Sequence, residues 1–537
     1  MKKRLLTALL SGALILTALA GCGQVAENQS GANDASAGGE SGARDELIFV
    51  NYRDIRDLNP HLYAGEMYAQ SILYDTLVSN TEDGYVGCLA EDWTISDDGR
   101  IYTFNIRDGV TFSDGTPCDA NAILANFNAI LENRERHTWL EMMNLLVGVS
   151  APDEDTFVIE MSEPYYPMLT ELACIRPFAM ISPNCMIDGS TMNGVNGYIG
   201  TGPYVLTDFV TDEYAVFERN ENYWGEAPAI QKITVKVIPD NQTRIMALEN
   251  EEIDLIFGKN MLDADAISQY VDSDRFTVSL SDPTSTRHIV LNTTHDILGD
   301  TAVRKALQHA TNRQAISEGI FYGLEPAADT LYSPTVPYCD VDLEPYAYDT
   351  EEAARLLDEA GWVMGSDGGR SKNGQKLELD LLYNSDSVTE KTISEYLQSE
   401  YLKLGISLNI HGEEEQSYRD NMKAGNFDMV FNICWGMPYD PQSSLAAMRA
   451  PVYGDYAAQQ GLEDKAEIDQ AITDILTSTD EAERQELYDF VLTRLHEDAV
   501  YIPLTYETNK ALYTSELKGV HFGTDQYDVD FASMYFE

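Results

Sequence analysis

Several chemistries are missing from these 537 residues. No Gly-x-Ser-x-Gly turn is present to present a serine nucleophile. His496-Glu497-Asp498 is followed by Val500 where a zinc-protease helix needs its second histidine. No loop ends in Gly-Lys-Ser/Thr, so the nucleotide-phosphate cradle is absent as well. The histidines His61, His137, His288, His295, His309, His411, His496 and His521 are not paired at ligand spacing, and the seven cysteines contain no Cys-x-x-Cys. Lys and Arg number 35 against 89 Asp and Glu, a formal charge of −54. That balance argues against a nucleic-acid partner, which needs a cationic face. Triads assembled from distant residues leave no motif, but these absences together shift the reading from catalysis toward binding.

The amino terminus carries the first positive signal. Met1-Lys2-Lys3-Arg4 is followed by an apolar run from Leu5 to Ala18 and then by Leu19-Ala20-Gly21-Cys22. A basic start and a short apolar core make a secretory signal, too short and wrongly flanked for a stable span. The Leu-Ala-Gly-Cys order resembles the bacterial lipobox, which implies cleavage before Cys22 and lipidation of that residue. Residues 1–21 are thus expected as a lipoprotein signal peptide and 22–45 as a lipidated cysteine with a flexible tether. The tether is rich in Gly, Ser, Ala, Asn and Glu and cannot bury enough surface to offset its ordering entropy. The expected location is outside the cytoplasm, on a lipid anchor at the cell membrane. Loss of Lys2, Lys3 and Arg4 leaves the mature chain three charges more negative, so its solubility is assured and its acidic surface is solvated.

From Glu46 onward about five hundred residues remain, too many for one core. Leu377-Glu378-Leu379-Asp380-Leu381 alternates as a half-buried strand. A helix from Thr389 places Ile393, Leu397, Tyr401 and Leu404 on one face, and Gly405 ends it. Ile406–Ile410 alternates again, so this is a βαβ unit with parallel strands. A second candidate runs through Ile233–Ile238, Thr243–Glu249 and Ile253–Phe257. Thr350 is expected to cap a helix that Gly361 stops, and Val303, Leu307 and Ala310 form another apolar stripe. Between Gly84 and Asp212 the texture changes to short runs separated by Asp-Gly turns at Asp83, Asp98, Asp108 and Asp114. The remaining cysteines, Cys88, Cys118, Cys174, Cys185, Cys339 and Cys434, are expected to be small buried residues; Cys174 and Cys185 are the one pair near in sequence.

Two aromatic-rich segments bear on chemistry: Arg134–Leu140, and Cys434–Pro441 followed by Met448-Arg449. In Ile175-Arg176-Pro177-Phe178 an arginine stands in an apolar run, where it either meets a structural carboxylate or receives an anionic ligand.

Longer stretches carry a resemblance. They include Leu58-Asn59-Pro60-His61-Leu62-Tyr63, Leu89-Ala90-Glu91-Asp92-Trp93, Arg107–Gly115, Ile199–Tyr204, Arg219–Trp224 and Val303–Leu307. On these the chain resembles the extracytoplasmic solute-binding proteins of ABC importers, in the large peptide/nickel group (family 5). Narrower matches at Asn133–Leu140, Glu171–Phe178, Thr191–Gly194 and Trp435–Pro441 resemble its nickel-binding branch. The resemblance implies an α/β, two-lobed periplasmic-binding-protein clamshell of the large cluster-C type, with an extra subdomain in the first lobe. Lobe I is expected over 46–284 plus 506–537, with the inserted subdomain at about 84–212, and lobe II over 285–505.

The resemblance further implies a non-enzymatic monomer that captures a chelated transition metal, such as a nickel–metallophore complex, between its lobes and delivers it to an ABC permease. The alternative within the fold is a di- or oligopeptide ligand. A lipid-anchored hydrolase or peptidase, and a scaffold that binds no small ligand, are the alternatives outside it. In the nickel branch the metal arrives in a chelator, and no resident cofactor is expected. Arg176 then grips a chelator carboxylate, Trp139, Trp435 and Tyr439 line the cleft, Met67 matches a cleft methionine, and Arg136 and Tyr63 stand near the site. Tyr453 occupies a position where branch members carry a histidine able to reach the metal; a phenol is a poor nickel ligand, so no metal ligand is assigned.

Overall fold

The βαβ unit read from sequence is present. The strand Glu378–Asn384 buries Leu379 and Leu381 and exposes Glu378 and Asp380. The helix Val388–Lys403 follows; the Ser387 hydroxyl accepts from the Glu390 amide at its start, and Ile393, Leu397 and Tyr401 are buried. Gly405 adopts φ +78°. The Ile406 and Gly405 amides return to the Tyr401 and Leu402 carbonyls, a Schellman closure. Ser407–Glu413 then pairs parallel with Glu378–Asn384.

The computed structural model describes residues 44–81, 84–258, 261–434, 441–523, 527 and 529–537. Its main feature is a ten-stranded mixed sheet. The strands run in the order Tyr204–Val210, Tyr214–Arg219, Lys232–Val237, Glu46–Asn51, Leu255–Phe257, Tyr501–Thr514, Phe276–Leu291, Met429–Cys434, Glu378–Asn384 and Ser407–Glu413. The second candidate βαβ unit differs from expectation. Glu46–Asn51 lies between Lys232–Val237 and Leu255–Phe257, parallel to both, so the crossover helix Asn241–Glu249 spans an intervening strand. Long-range pairing of the first strand decides this, and nothing local to 233–257 reveals it. The helix Thr350–Glu359 forms with Asp349, not Thr350, as its cap; one Asp349 oxygen accepts from both the Glu351 and Glu352 amides.

Two strands organise the two lobes. Phe276–Leu291 and Tyr501–Thr514 pair antiparallel along nearly their whole length. At one end Tyr501–Thr514 pairs with Leu255–Phe257, and at the other Phe276–Leu291 pairs with Met429–Cys434. Each end has its own core, around Phe49, Phe217, Ile233 and Leu255 on one side and Ile289, Leu307, Leu381 and Tyr401 on the other. Between them the pairing slips three times, between Leu280 and His288. There the strands bury charge: Lys510 meets Glu325 at 3.1 Å, Arg287 meets Glu507, and Thr505 donates to Glu325 at 3.0 Å. Two acids against two bases keep this crossing neutral, which is what lets it leave water.

The Asp-Gly-punctuated stretch forms a separate four-stranded antiparallel sheet, ordered Ala90–Ile95, Ile101–Ile106, Thr156–Met161, Leu146–Ser150. Helix Ala120–Glu132 packs on it. At the end of the stretch Tyr204–Val210 leaves this sheet to become an edge of the large one. One apolar cluster joins the small sheet, through Phe104 and Phe157, to the helices Lys465–Thr477 and Glu481–Glu497, through Ile472, Tyr488 and Val491. At this contact the Tyr166 amide donates to the Leu476 carbonyl at 3.1 Å, and the Arg484 guanidinium lies 3.5 Å from the Tyr166 ring centre. The six cysteines of the described residues are buried, and no disulfide joins Cys174 to Cys185. The leader, Cys22 and the tether to Ala43 lie outside the described residues. Among the described residues no helix is long and apolar enough to cross a membrane.

Candidate functional site

The site begins with the loop between Glu46–Asn51 and the helix Met67–Leu73. Asn59 donates to the Thr191 carbonyl at 2.9 Å, and the His61 ring bridges the Thr191 hydroxyl at 3.0 Å and the Ala179 carbonyl at 3.3 Å. Burial pushes His61 down to about 3, so it is a neutral strut. This pinned loop carries Tyr63 and Gly65. A Cβ at position 65 would stand 2.4 Å from the Asp57 carbonyl oxygen, so only glycine lets the chain pass there. The Gly65 carbonyl thereby reaches Arg176 Nη2 at 2.6 Å.

Arg176 is buried, at 8% exposure. Its Nε donates to Gln70 Oε1 at 3.0 Å, and Gln70 in turn donates to the Asn59 carbonyl at 3.2 Å. Both partners of the guanidinium are neutral. Among the described residues no carboxylate lies within ion-pair distance of it; the nearby Glu66 is taken by Arg53 and by Asn51 at 3.1 Å. Burial pulls the Arg176 pKa below the ordinary arginine value, with Tyr63 and Glu66 acting against it. Of the two readings open in the sequence, the structural carboxylate is not found among the described residues. A buried cation without a counter-ion is costly, and a guanidinium held at Nε and one Nη2 proton still offers a fork to a planar anion.

The second part of the site is aromatic. The segment 134–140 folds as a tight turn after helix Ala120–Glu132, with Arg134 tied to the Leu146 carbonyl at 3.0 Å. Glu171 holds it to the Arg176 segment by accepting from the Glu141 and Met142 amides at 3.2 and 3.0 Å. Trp139 is thus brought to Tyr63: its indole N–H donates to the Tyr63 hydroxyl, and the rings meet edge to face at 6.2 Å. The Tyr63 ring lies 5.9 Å from the Arg176 guanidinium. Tyr63 and Trp139 stay 39% and 40% exposed, so they form an accessible wall beside a buried cation. Burial raises the Tyr63 phenol to about 12, so it is protonated.

Of the residues expected from sequence, Arg176 and Trp139 each meet Tyr63, and half-buried Met67 starts the helix that supplies Gln70. Arg136 is exposed, one residue from His137. Tyr453 sits in the second lobe, half-buried at the start of helix Gly454–Gln459 with Arg419 nearby, and no described contact links it to Arg176. Trp435 and Tyr439 lie outside the described residues. Sequence reasoning missed Gln70 and His137. Gln70 has a readable signal, since it follows Met67 by three residues on one helix face; His137 has none. Among the described residues no group of three or more His, Cys, Asp or Glu is placed to hold a metal ion. The arrangement offers a guanidinium fork beside aromatic surface, a geometry suited to receiving an anion.

Comparison with known proteins agrees with this architecture. Residues 84–455, more than half of the chain, match the family of bacterial extracellular solute-binding proteins, family 5 (middle). The chain is similar to the nickel-binding periplasmic protein of Escherichia coli K12, at 41% identity over 91% of this chain and 94% of that protein. It is similar in structure to NikA from Brucella suis, solved in complex with Fe(III)-EDTA, with TM-score 0.88 and 43% identity over 92% of this chain and 100% of that one. The periplasmic oligopeptide-binding protein OppA of Salmonella typhimurium is 26% identical over 96% of this chain and 95% of its own. The protein therefore belongs to the family 5 extracellular solute-binding proteins, the non-enzymatic, two-lobed ligand-capturing components of ABC importers.

Proposed function

We propose that this protein captures a chelated transition metal, nickel foremost, in the cleft between its lobes and hands it to an ABC permease. The observation that carries the reading is Arg176, a buried guanidinium whose partners are the neutral Gln70 and Gly65. A chelator carboxylate supplies the missing countercharge in bidentate geometry. Tyr63 and Trp139 then cover the chelate and exclude water, which strengthens that ion pair. The metal's own donor atoms come from the chelator. Relatives support this choice: the Escherichia coli protein is named for nickel, and the Brucella suis protein was solved with a polycarboxylate chelate. In this reading Trp435, Tyr439 and Tyr453 are further ligand-binding residues. The lobes divide at 284/285 and 505/506, within the two crossing strands, and the 84–212 subdomain moves with lobe I. Cys22 carries the lipid that keeps a monomeric protein at the membrane surface, outside the cytoplasm.

Similarity to an oligopeptide-binding protein favours a peptide as second reading. A peptide needs a partner for its ammonium group, whereas Arg176 suits a carboxylate. Calorimetric titration separates the two. The proposal expects binding of nickel with excess L-histidine and none of a mixed di- to pentapeptide pool. Peptide binding without metal would replace it.

A further inference from the structure

Tyr63 stands between two groups whose chemistry dictates how its single proton is used. The Trp139 indole nitrogen is only a donor, and it is directed at the Tyr63 oxygen. The same oxygen lies 2.6 Å from His137 Nδ1. His137 has no exposed surface. Burial first, and the charge of adjacent Arg136 second, lower its pKa to about 4, so at neutral pH the ring holds one proton. That proton has two places. On Nδ1 it would point at Tyr63 and leave the phenol proton without an acceptor among the described residues. On Nε2 it leaves Nδ1 as a lone pair facing the phenol. Nε2 has no partner at hydrogen-bond geometry, but the His61 backbone is near enough to favour a proton on the ring. The Nε2 tautomer therefore completes a one-way chain from Trp139 N–H to Tyr63 oxygen and from Tyr63 O–H to His137 Nδ1. Neither ring pair is stacked: the Tyr63–His137 rings are tilted by 58° and the Tyr63–Trp139 rings by 63°.

We propose that His137 is a positioning residue for the ligand wall: by accepting the Tyr63 proton at Nδ1 it presents the Tyr63 oxygen to Trp139 and holds the indole with its N–H turned from the ligand. This rests on the reading of Trp139 as a cleft wall. It has a consequence for specificity. The Trp139 N–H is already used, so the wall offers ring surface and no donor, and hydrogen-bond donation to the ligand is left to Arg176. Such a wall accepts the carbon-rich flank of a chelate and leaves a ligand carbonyl aimed at it unsatisfied, which disfavours extended peptide backbone.

The test uses the mature soluble chain labelled with 15N tryptophan and histidine. The Trp139 indole signal is identified by its loss in Trp139→Phe. His137→Leu deletes the acceptor, and His137→Asn keeps an oxygen near the Nδ1 position. The expected result is a shifted, faster-exchanging Trp139 N–H in His137→Leu, recovery in His137→Asn, and a wild-type His137 Nδ1 shift typical of an unprotonated nitrogen. Affinity for nickel with excess L-histidine is expected to fall about fivefold in His137→Leu, the size of one lost hydrogen bond, and to recover in His137→Asn. If His137→Leu does not fold, Tyr63→Phe removes the same relay and is expected to alter the same indole signal. An unchanged indole signal, or a protonated Nδ1, overturns the relay. A changed signal with unchanged affinity overturns its role in binding. Failure of the wild type to bind nickel–histidine counts against the functional reading, while the indole and imidazole signals still decide the relay.

Discussion

Replacing Arg176 by alanine removes the cation that anchors the carboxylate of the proposed ligand. The wild-type guanidinium is 8% exposed and is held through Nε and Nη2 by neutral acceptors. A carboxylate that meets its remaining fork does so out of bulk water. Truncating one partner of such a buried, hydrogen-bonded charge pair costs about 2–5 kcal/mol. At about 1.4 kcal/mol per decade, the dissociation constant rises by roughly thirtyfold at the low end and several thousandfold at the high end. The fold loses less. Gly65 and Gln70 each lose one hydrogen bond, about 1 kcal/mol apiece, while an uncompensated buried charge disappears, which offsets part of that. Arg176→Lys keeps the charge but not the planar fork and should fall between. The assay is calorimetric titration with nickel and excess L-histidine, beside urea unfolding of each variant. Wild-type affinity in Arg176→Ala, with the fold intact, refutes the carboxylate anchor.

Three further outcomes are expected. Tyr166→Ala should weaken ligand affinity by about tenfold through a faster off-rate, although Tyr166 lies outside the Arg176 cluster. Its ring packs on Arg484 and its hydroxyl donates to Glu481 at 2.8 Å across the contact between the small sheet and the second lobe, a cation–π pair of about 2 kcal/mol when desolvated; stopped-flow release of the chelate reads it, and an unchanged rate rejects a lobe-to-lobe latch. Burial raises Asp455 to about 6 against an ordinary value near 4, despite donation from Asn432 at 2.7 Å. The folded state then holds a proton that the unfolded state releases between about pH 4 and 6, so this group lowers stability as pH rises through that window, by ~3 kcal/mol in all. Urea unfolding of Asp455→Asn should lack that component, and identical pH profiles for the two proteins would contradict it. Cys22→Ala should release the protein from membranes to the soluble extracytoplasmic fraction on cell fractionation, and retention on the membrane would reject lipidation at Cys22.

The parts of the fold that sequence revealed are those where one local pattern decides the structure. Ile393, Leu397 and Tyr401 recur at helical spacing, and Gly405 takes the left-handed stop, so the unit 377–410 is readable from its own residues. The crossing strands are the opposite case. Thr505-Tyr506-Glu507-Thr508-Asn509-Lys510 reads as a polar surface run, yet every one of these residues is buried. Its charges are satisfied by Arg287 and Glu325, more than 150 residues distant in the chain, and no window along the sequence displays that pairing. The place of Glu46–Asn51 inside the sheet was hidden for the same reason.

The candidate site divides similarly. Arg176 stood out by its place in an apolar run and Trp139 by its aromatic-rich segment, while their roles and Tyr63 came from motif resemblance; the structure brings them together through Gly65 and Gln70. Glu171, within the same motif as Arg176, is explained by structure: its carboxylate takes the Glu141 and Met142 amides and fixes one motif to the other. His137 sits inside the Trp139 motif but carries no local sign of its contact with Tyr63, which lies 74 positions away.

Thermal unfolding of the mature chain against a matrix of ligands tests the central claim most directly. Nickel, cobalt, zinc and copper would each be scanned alone, with excess L-histidine and with a carboxylate chelator, beside a short-peptide pool. A ligand that binds only the folded state adds about 2.7 kcal/mol at a hundred times its dissociation constant. Capture of a chelated metal predicts a rise in the unfolding temperature only when metal and chelator are present together. A rise with peptides alone, or with bare metal as large as with its chelate, would contradict it.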